Sequence, residues 1–413
     1  MPPRLPALLA DPPPSDRRFW LTGGRLVDGT GGPPREHTAV EIADGRIARI
    51  ADAAPQGAET IDLTGCTLLP GLVDAHAHVG VSFPHPEAAH GAEPILPGTV
   101  AHFLAAELRE VLRMGITTMR DVGSYGDLVV EARQAMRYGA FAGPRLLTCG
   151  RIVSPTSPGG RFFAGMYREA DGVDDVRRAV REQIRYGADF VKVMTTGART
   201  VELEDPDPAQ VTPEELTAFV DEAHRLGYRT CAHCEGLPGT ELAVETGIDT
   251  IEHGMYLNQR PDLLDRMAAN DQVLVPTLSF LHHVVESGEW TPELTELGRH
   301  NVEQAQLTVG AARAAGVRLA MGFDAAPLHH GTHELLRLVE AGLPVEDAVV
   351  AATAGSAYAL GLLDHIGTVE VGKLADLVAV DGDPLLDPRV LCDRDRIRLV
   401  VRLGSPWITE SPA

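Results

Sequence analysis

The chain has 413 residues, 44% of them hydrophobic, enough for one large core with a smaller domain beside it. Against 36 basic residues stand 58 acidic ones, and the formal net charge of -22 makes a surface that repels phosphate backbones and anionic lipid headgroups. Nucleic acid and membranes are therefore excluded as expected partners, and a small-molecule substrate is the expected one.

Residues 1–18 are Pro-rich and contain one short apolar piece, Leu8-Leu9-Ala10, too short for a signal-peptide core or a membrane span. They read as a flexible N-terminal arm. From Phe19 to Cys66, short alternating runs meet Asp28-Gly29 and Asp44-Gly45, which are hairpin signals. The same pattern returns at Ala375–Val380 before Asp381-Gly382, and again at Ile397–Val401. Strands at both chain ends predict a small β-sandwich made from residues 19–66 and 366–409.

The apolar run Leu69-Pro70-Gly71-Leu72-Val73-Asp74 leads into His76-Ala77-His78. In a strand, alternate side chains share a face, so both imidazoles point the same way and could begin a metal site. Seven further apolar runs follow: Gly115–Asp121, Arg145–Thr148, Phe190–Met194, Arg229–His233, Thr250–His253, Val273–Thr277 and Arg318–Gly322. Helical segments lie between them, including Thr99–Arg113, Val173–Tyr186, Thr212–Leu226 and Glu293–Ala315. Thr212-Pro213-Glu214-Glu215 is a helix start with a capping box. Eight strand–helix units predict an α/β chain with a (β/α)8 TIM barrel over residues 67–365, whose working residues gather at the C-terminal strand ends.

Six side chains then converge. His76 and His78 end strand 1, Lys192 lies in strand 4, His233 ends strand 5, His253 ends strand 6 and Asp324 follows strand 8. Singly, His233 or His253 could be a satisfied core histidine, and Asp324 a helix N-cap. Lys192 is different, because an unpaired ammonium inside a barrel is very costly and needs a neutralising partner. The five cysteines (Cys66, Cys149, Cys231, Cys234, Cys392) have no repeated spacing, and Cys231-x-x-Cys234 encloses His233 with no second pair to complete a knuckle. Reduced thiols in a cytoplasmic protein are expected.

The Pro-Gly-Leu-Val-Asp-Ala-His-Ala-His stretch and the six positions resemble the binuclear members of the amidohydrolase superfamily. Ala223-His224-Arg225-Leu226-Gly227, Ile251-Glu252-His253-Gly254 and Gly331-Thr332-His333-Glu334-Leu335 resemble its imidazolonepropionase- and prolidase-like branch. The resemblance implies two divalent metal ions, zinc or else manganese or cobalt, bridged by a hydroxide and by a carbamate on Lys192. It gives the more buried metal to His76, His78 and Asp324, the more exposed one to His233 and His253, and the proton-carrying catalytic role to Asp324. Hydrolysis of an amide C–N bond follows, in a dipeptide or N-acyl amino acid.

Alternatives are a cyclic-amide or lactone hydrolase, a mononuclear deaminase, and a non-catalytic barrel used as a binding scaffold. Mononuclear deaminases of the superfamily lack the strand-4 lysine and place a glutamate three residues after the strand-5 histidine. Here Glu235 is two after His233. Where the branch commonly carries a histidine after strand 3, this chain has Arg161, whose guanidinium suits a substrate carboxylate. Arg199, Tyr256 and His330 are further substrate-binding candidates by position in strand-end loops. Glu252 is expected as a partner behind the ligands. His85, His90, His102, His282, His283 and His300 are expected on loops or the surface, with His282 and His283, after strand 7, the first candidates to reach the pocket. Association into a homo-oligomer is left open.

Overall fold

A computed structural model describes residues 7–8, 11–81, 96–201, 203–288 and 291–408. The parallel strands run in the expected order: Leu72–Ala77, Ile116–Asp121, Arg145–Thr148, Phe190–Met194, Arg229–Cys234, Thr250–His253, Val273–Val275 and Arg318–Leu319. The first three form one sheet and the last five belong to another. Backbone hydrogen bonds continue the series at both breaks. Asp189 N donates to Thr148 O (2.8 Å) between the third and fourth strands, and Ala75 N donates to Met321 O (2.8 Å) between the first and the eighth.

Alternation decides which side chains face inward. In the fourth strand Val191 and Val193 join one apolar cluster while Phe190 and Met194 join another, so Lys192 lies on the Phe190 side. In the fifth, Ala232 and Cys234 pack with the valines and Cys231 with Phe190, which puts His233 on the side of Lys192. The same alternation separates Cys231 from Cys234. Burial raises both thiols to about 12, so they are inert and unpaired.

The helices between strands bury one face each. Pro213–Arg225 starts where its capping residues predict: Glu215 N donates to Thr212 Oγ1 (3.2 Å), and Thr212 N donates to the Glu215 carboxylate (2.9 Å). The segment between the third and fourth strands holds two strands of three residues, Ile152–Ser154 and Tyr167–Glu169, with the short helix Pro158–Phe162 between them. The sequence pattern does not reveal these, because three residues are too few to display a period.

The chain ends form two more sheets. One orders Arg46–Ala51, Ala39–Ala43, Arg18–Thr22 and Thr60–Asp62; the other orders Ser405–Ile408, Ile397–Arg402, Leu377–Asp381, Cys66–Pro70 and Arg25–Leu26. Phe19, Leu21, Val40 and Ile42 of the first share one apolar cluster with Leu68, Leu377, Leu399 and Val401 of the second.

The arm expected to hang loosely is tethered wherever it is described. Ala7 N donates to Asp189 Oδ1 (2.6 Å), and Ser15 N donates to Leu403 O (3.0 Å). Asp11 bridges two buried guanidiniums, Arg145 (2.7 Å) and Arg402 (2.5 Å), with Asp376 also on Arg145 (2.7 Å). His85, His90 and residues 1–6 lie outside the described residues. Among the described residues no helix is long and apolar enough to cross a membrane.

Removing one partner of a buried pair strands the other charge. Asp11→Ala leaves Arg402 without an ion-pair partner, while Arg145 keeps Asp376. The expected loss of folding stability is about 3 kcal/mol, read by denaturant unfolding.

Candidate functional site

His76, His78, Lys192, His233, His253 and Asp324 come together at the C-terminal ends of the parallel strands, around one cavity of about 380 Å³. The His76 and His78 rings are 5.5 Å apart, those of His76 and His253 5.1 Å, and those of His233 and His253 4.6 Å. Asp324 lies 3.5 Å from His76 Nε2, 3.4 Å from His78 Nε2 and 3.9 Å from His253 Nδ1. Ligand atoms of His76, His253 and Asp324 all fall within 4.8 Å of one another, a spacing that suits a metal ion.

Each histidine has one ring nitrogen anchored outside the cluster. His76 Nδ1 meets Glu252 (2.7 Å), His78 Nδ1 meets the Gly123 carbonyl (2.6 Å), His233 Nε2 meets the Gly197 carbonyl (3.2 Å) and His253 Nδ1 meets Thr277 Oγ1 (2.7 Å). An acceptor on the outer nitrogen puts the proton there and leaves a lone pair on the inner one. The inner nitrogens face each other: His233 Nδ1 and His253 Nε2 are 2.9 Å apart. Thr277 Oγ1 can donate or accept, so these two nitrogens either share a proton or present two lone pairs between which a cation would fit.

Backbone strain helps to assemble the cluster. Ile251 packs in the helix-facing apolar core, and simple alternation would send His253 the same way. A positive φ of 65° at His253 turns its ring toward His233 instead. Asp324 (49°) and Thr277 (50°) are also left-handed. Non-glycine residues rarely adopt such angles without surrounding contacts to hold them.

The electrostatics match ligand duty at three of the four histidines; at His76 burial, which would lower the imidazole, is outweighed by Asp324 and Glu252, which raise it above its ordinary value. Burial holds His78, His233 and His253 below the usual imidazole range, His233 at about 3, so they are neutral near pH 7. Burial opposes ionisation of Asp324, but His76 and His78 outweigh it and hold the carboxyl below its ordinary value. Lys192 is 2% exposed and has no hydrogen bond or ion-pair partner among the described residues.

Glu252 connects the cluster to the interior. Besides His76, it takes Arg120 Nη2 (2.8 Å) and Thr250 Oγ1 (2.5 Å). Burial would raise its carboxyl, yet Arg120 and His76 keep it well below the carboxylate range. Arg120 escapes the sequence reading, although a charged residue inside the run Ile116–Asp121 is the same kind of signal as Lys192. Thr277 could have been found from its place at the end of the seventh strand. The Gly123 and Gly197 carbonyls leave no trace in sequence.

The substrate-binding candidates lie elsewhere. Arg161 is exposed on the Pro158–Phe162 helix, which turns Phe162 and the following Phe163 to the cavity. Arg199 sits behind Glu235, with Asp207 at 3.1 Å and Glu235 at 3.5 Å, its guanidinium over the Tyr256 ring at 5.5 Å. Tyr256 donates to Asn301 Oδ1 (3.0 Å), and the exposed His330 packs between His329 and His333. None of the four lines the cavity; Glu235, Tyr167, Thr200 and His283 do. His102 and His300 are exposed, and His282 bonds Glu286 (3.2 Å).

Parallel strands with ligand-type side chains at their C-terminal ends define a class of metal-site hydrolases, and the comparisons make it specific. The model of the amidohydrolase family matches residues 67–406, and the chain belongs to that family. It is 31% identical to an ochratoxinase of Aspergillus niger over 407 residues, covering 90% of this chain and 82% of the relative. The A. niger ochratoxinase crystal structure superposes with a TM-score of 0.85 at 28% identity, covering 95% of this chain and 96% of the other. A Xaa-Pro dipeptidase solved with methionine in its active site gives 0.84 at 28% identity, covering 95% and 100%.

Glutamine at position 252 keeps the shape but loses the charge that holds His76 and Arg120. Glu252→Gln is expected to weaken metal binding by about tenfold to a hundredfold, measured by competition with a chelator on a variant shown to be folded.

Proposed function

We propose that the chain is a binuclear metal-dependent hydrolase of amide C–N bonds, with a (β/α)8 barrel over residues 67–365 and a β-sandwich from residues 19–66 and 366–409. The observation that carries this reading is the set of four histidines with anchored outer nitrogens and inner nitrogens turned toward Asp324 and toward one another. Family membership and the ochratoxinase and dipeptidase relatives agree with amide hydrolysis.

His76, His78 and Asp324 would hold one cation and His233 with His253 the other. Lys192 would reach both as a carbamate. Its ammonium would lose one proton, and the resulting amine would add CO₂ and release a second, so that a stranded cation would become a carbamate anion able to serve as a metal ligand. Zinc suits this nitrogen and oxygen set, and manganese or cobalt would also be accepted. When bound, the metals supply a polarised scissile carbonyl and a water whose proton is lost near neutral pH.

The chain's own groups do the rest. Asp324, ionised and within reach of three histidines, takes the proton from water and delivers it to the leaving nitrogen. The hydroxyl oxygen of that water ends on the acyl carbon and both of its protons are accounted for, one on the amine and one on the new acid. Glu252 and Arg120 fix the His76 ring throughout. The apolar cavity wall keeps other water from the site.

Lys192→Ala tests the reading. The expected outcome is a fall from about two bound metals per chain to about one or fewer, with loss of amide hydrolysis. Elemental analysis and amine release check the two halves separately. Wild-type turnover that survives exhaustive chelation would remove the mechanism.

A further inference from the structure

We infer that the cavity selects an uncharged substrate, an amide carrying an aromatic or similarly broad apolar group and no carboxylate beside the scissile bond. This rests on the proposed hydrolase reading and narrows it, against the N-acyl amino acids and dipeptides that the sequence suggested.

The first argument is the wall. Phe162 and Phe163 meet edge to face at 4.8 Å, and Phe163 lies 5.4 Å from Tyr167. Ile152, Met166 and Phe280 extend this surface inside the same cavity. Phe162, 56% exposed, carries this apolar surface out to the cavity mouth. Tyr167 Oη has no hydrogen-bond partner among the described residues, so it remains free to donate to a neutral acceptor. Its burial, first, and then Glu204 and Glu235 keep the phenol protonated.

The second argument is the missing cation. Lys192 is the only lysine or arginine among the described lining residues. Arg199 is taken by Asp207 and Glu235, and Arg161 faces solvent outside the cavity. With Lys192 carried as the proposed carbamate, a substrate carboxylate would lose its water without gaining a guanidinium or ammonium. Near the histidine cluster it would compete with the scissile carbonyl instead. The net charge of -22 also lowers the local concentration of anions.

A matched pair tests the inference. N-benzoylphenethylamine and N-benzoylphenylalanine differ only in the carboxylate beside the amide nitrogen. With metal-loaded full-length protein, kcat/KM for the neutral compound is expected to exceed that for the acid by about tenfold or more. Calorimetry with the metal-loaded protein should give the same order of binding. Equal or better binding and turnover of the acid would overturn the inference. Phe163→Ala should raise KM for the neutral compound about fivefold or more with kcat within about twofold, and an unchanged KM would count against the aromatic wall. If neither compound is cleaved but the neutral one still binds more tightly, the selectivity stands and the hydrolase reading falls.

Discussion

Lys192, buried with no hydrogen-bond or ion-pair partner among the described residues, is the constraint on which the site turns. Taking such a charge out of water costs several kcal/mol even after relaxation, and a fold does not carry that cost at a strand centre without return. Around Lys192 stand three histidines that burial keeps neutral and one aspartate that stays ionised. These groups alone do not compensate the lysine, because Asp324 is directed at His76 and His78. The proposed carbamate between two cations would compensate it. The same proposed assembly would place a cation where His233 and His253 approach to 2.9 Å, so it would answer two separate demands at once.

The demands persist in the folded chain because the ligands are held from behind. His76 depends on Glu252, and Glu252 on Arg120, whose guanidinium also bonds Thr250. His253 depends on Thr277, and both have left-handed backbones. A ring fixed at its outer nitrogen cannot rotate away from its neighbour, and a strained φ cannot relax while the strands beside it are paired. The site is therefore pre-organised: the cost of bringing like groups together is met during folding, not at each catalytic cycle.

Much of this was legible in the chain. The parallel strands and their order followed from apolar runs separated by helical segments. The six converging side chains followed from their places at strand ends, and Thr212 with Glu215 marked a helix start. What escaped has physical reasons. Carbonyls such as Gly123 O and Gly197 O belong to every residue and carry no signal. Asp11 meets Arg145 across a separation of 134 residues, so a Pro-rich arm read as loose is pinned by charges that local text cannot pair. Arg161 was weighed by charge alone, whereas the short helix bearing it faces the cavity with its aromatic neighbours.

That last case bears on how such a site diversifies. The proposed ligands and their anchors sit on the parallel strands or directly at their ends. The aromatic wall sits mainly on the segment between the third and fourth strands, which is stitched to the body by two strands of three residues. Changing a side chain there alters what the cavity accepts without disturbing Glu252, Thr277 or the carbonyls that orient the histidines. Chemistry and selectivity thus rest on different structural supports. On the proposed reading, the wall, not the ligand cluster, is where this chain's substrate would be written.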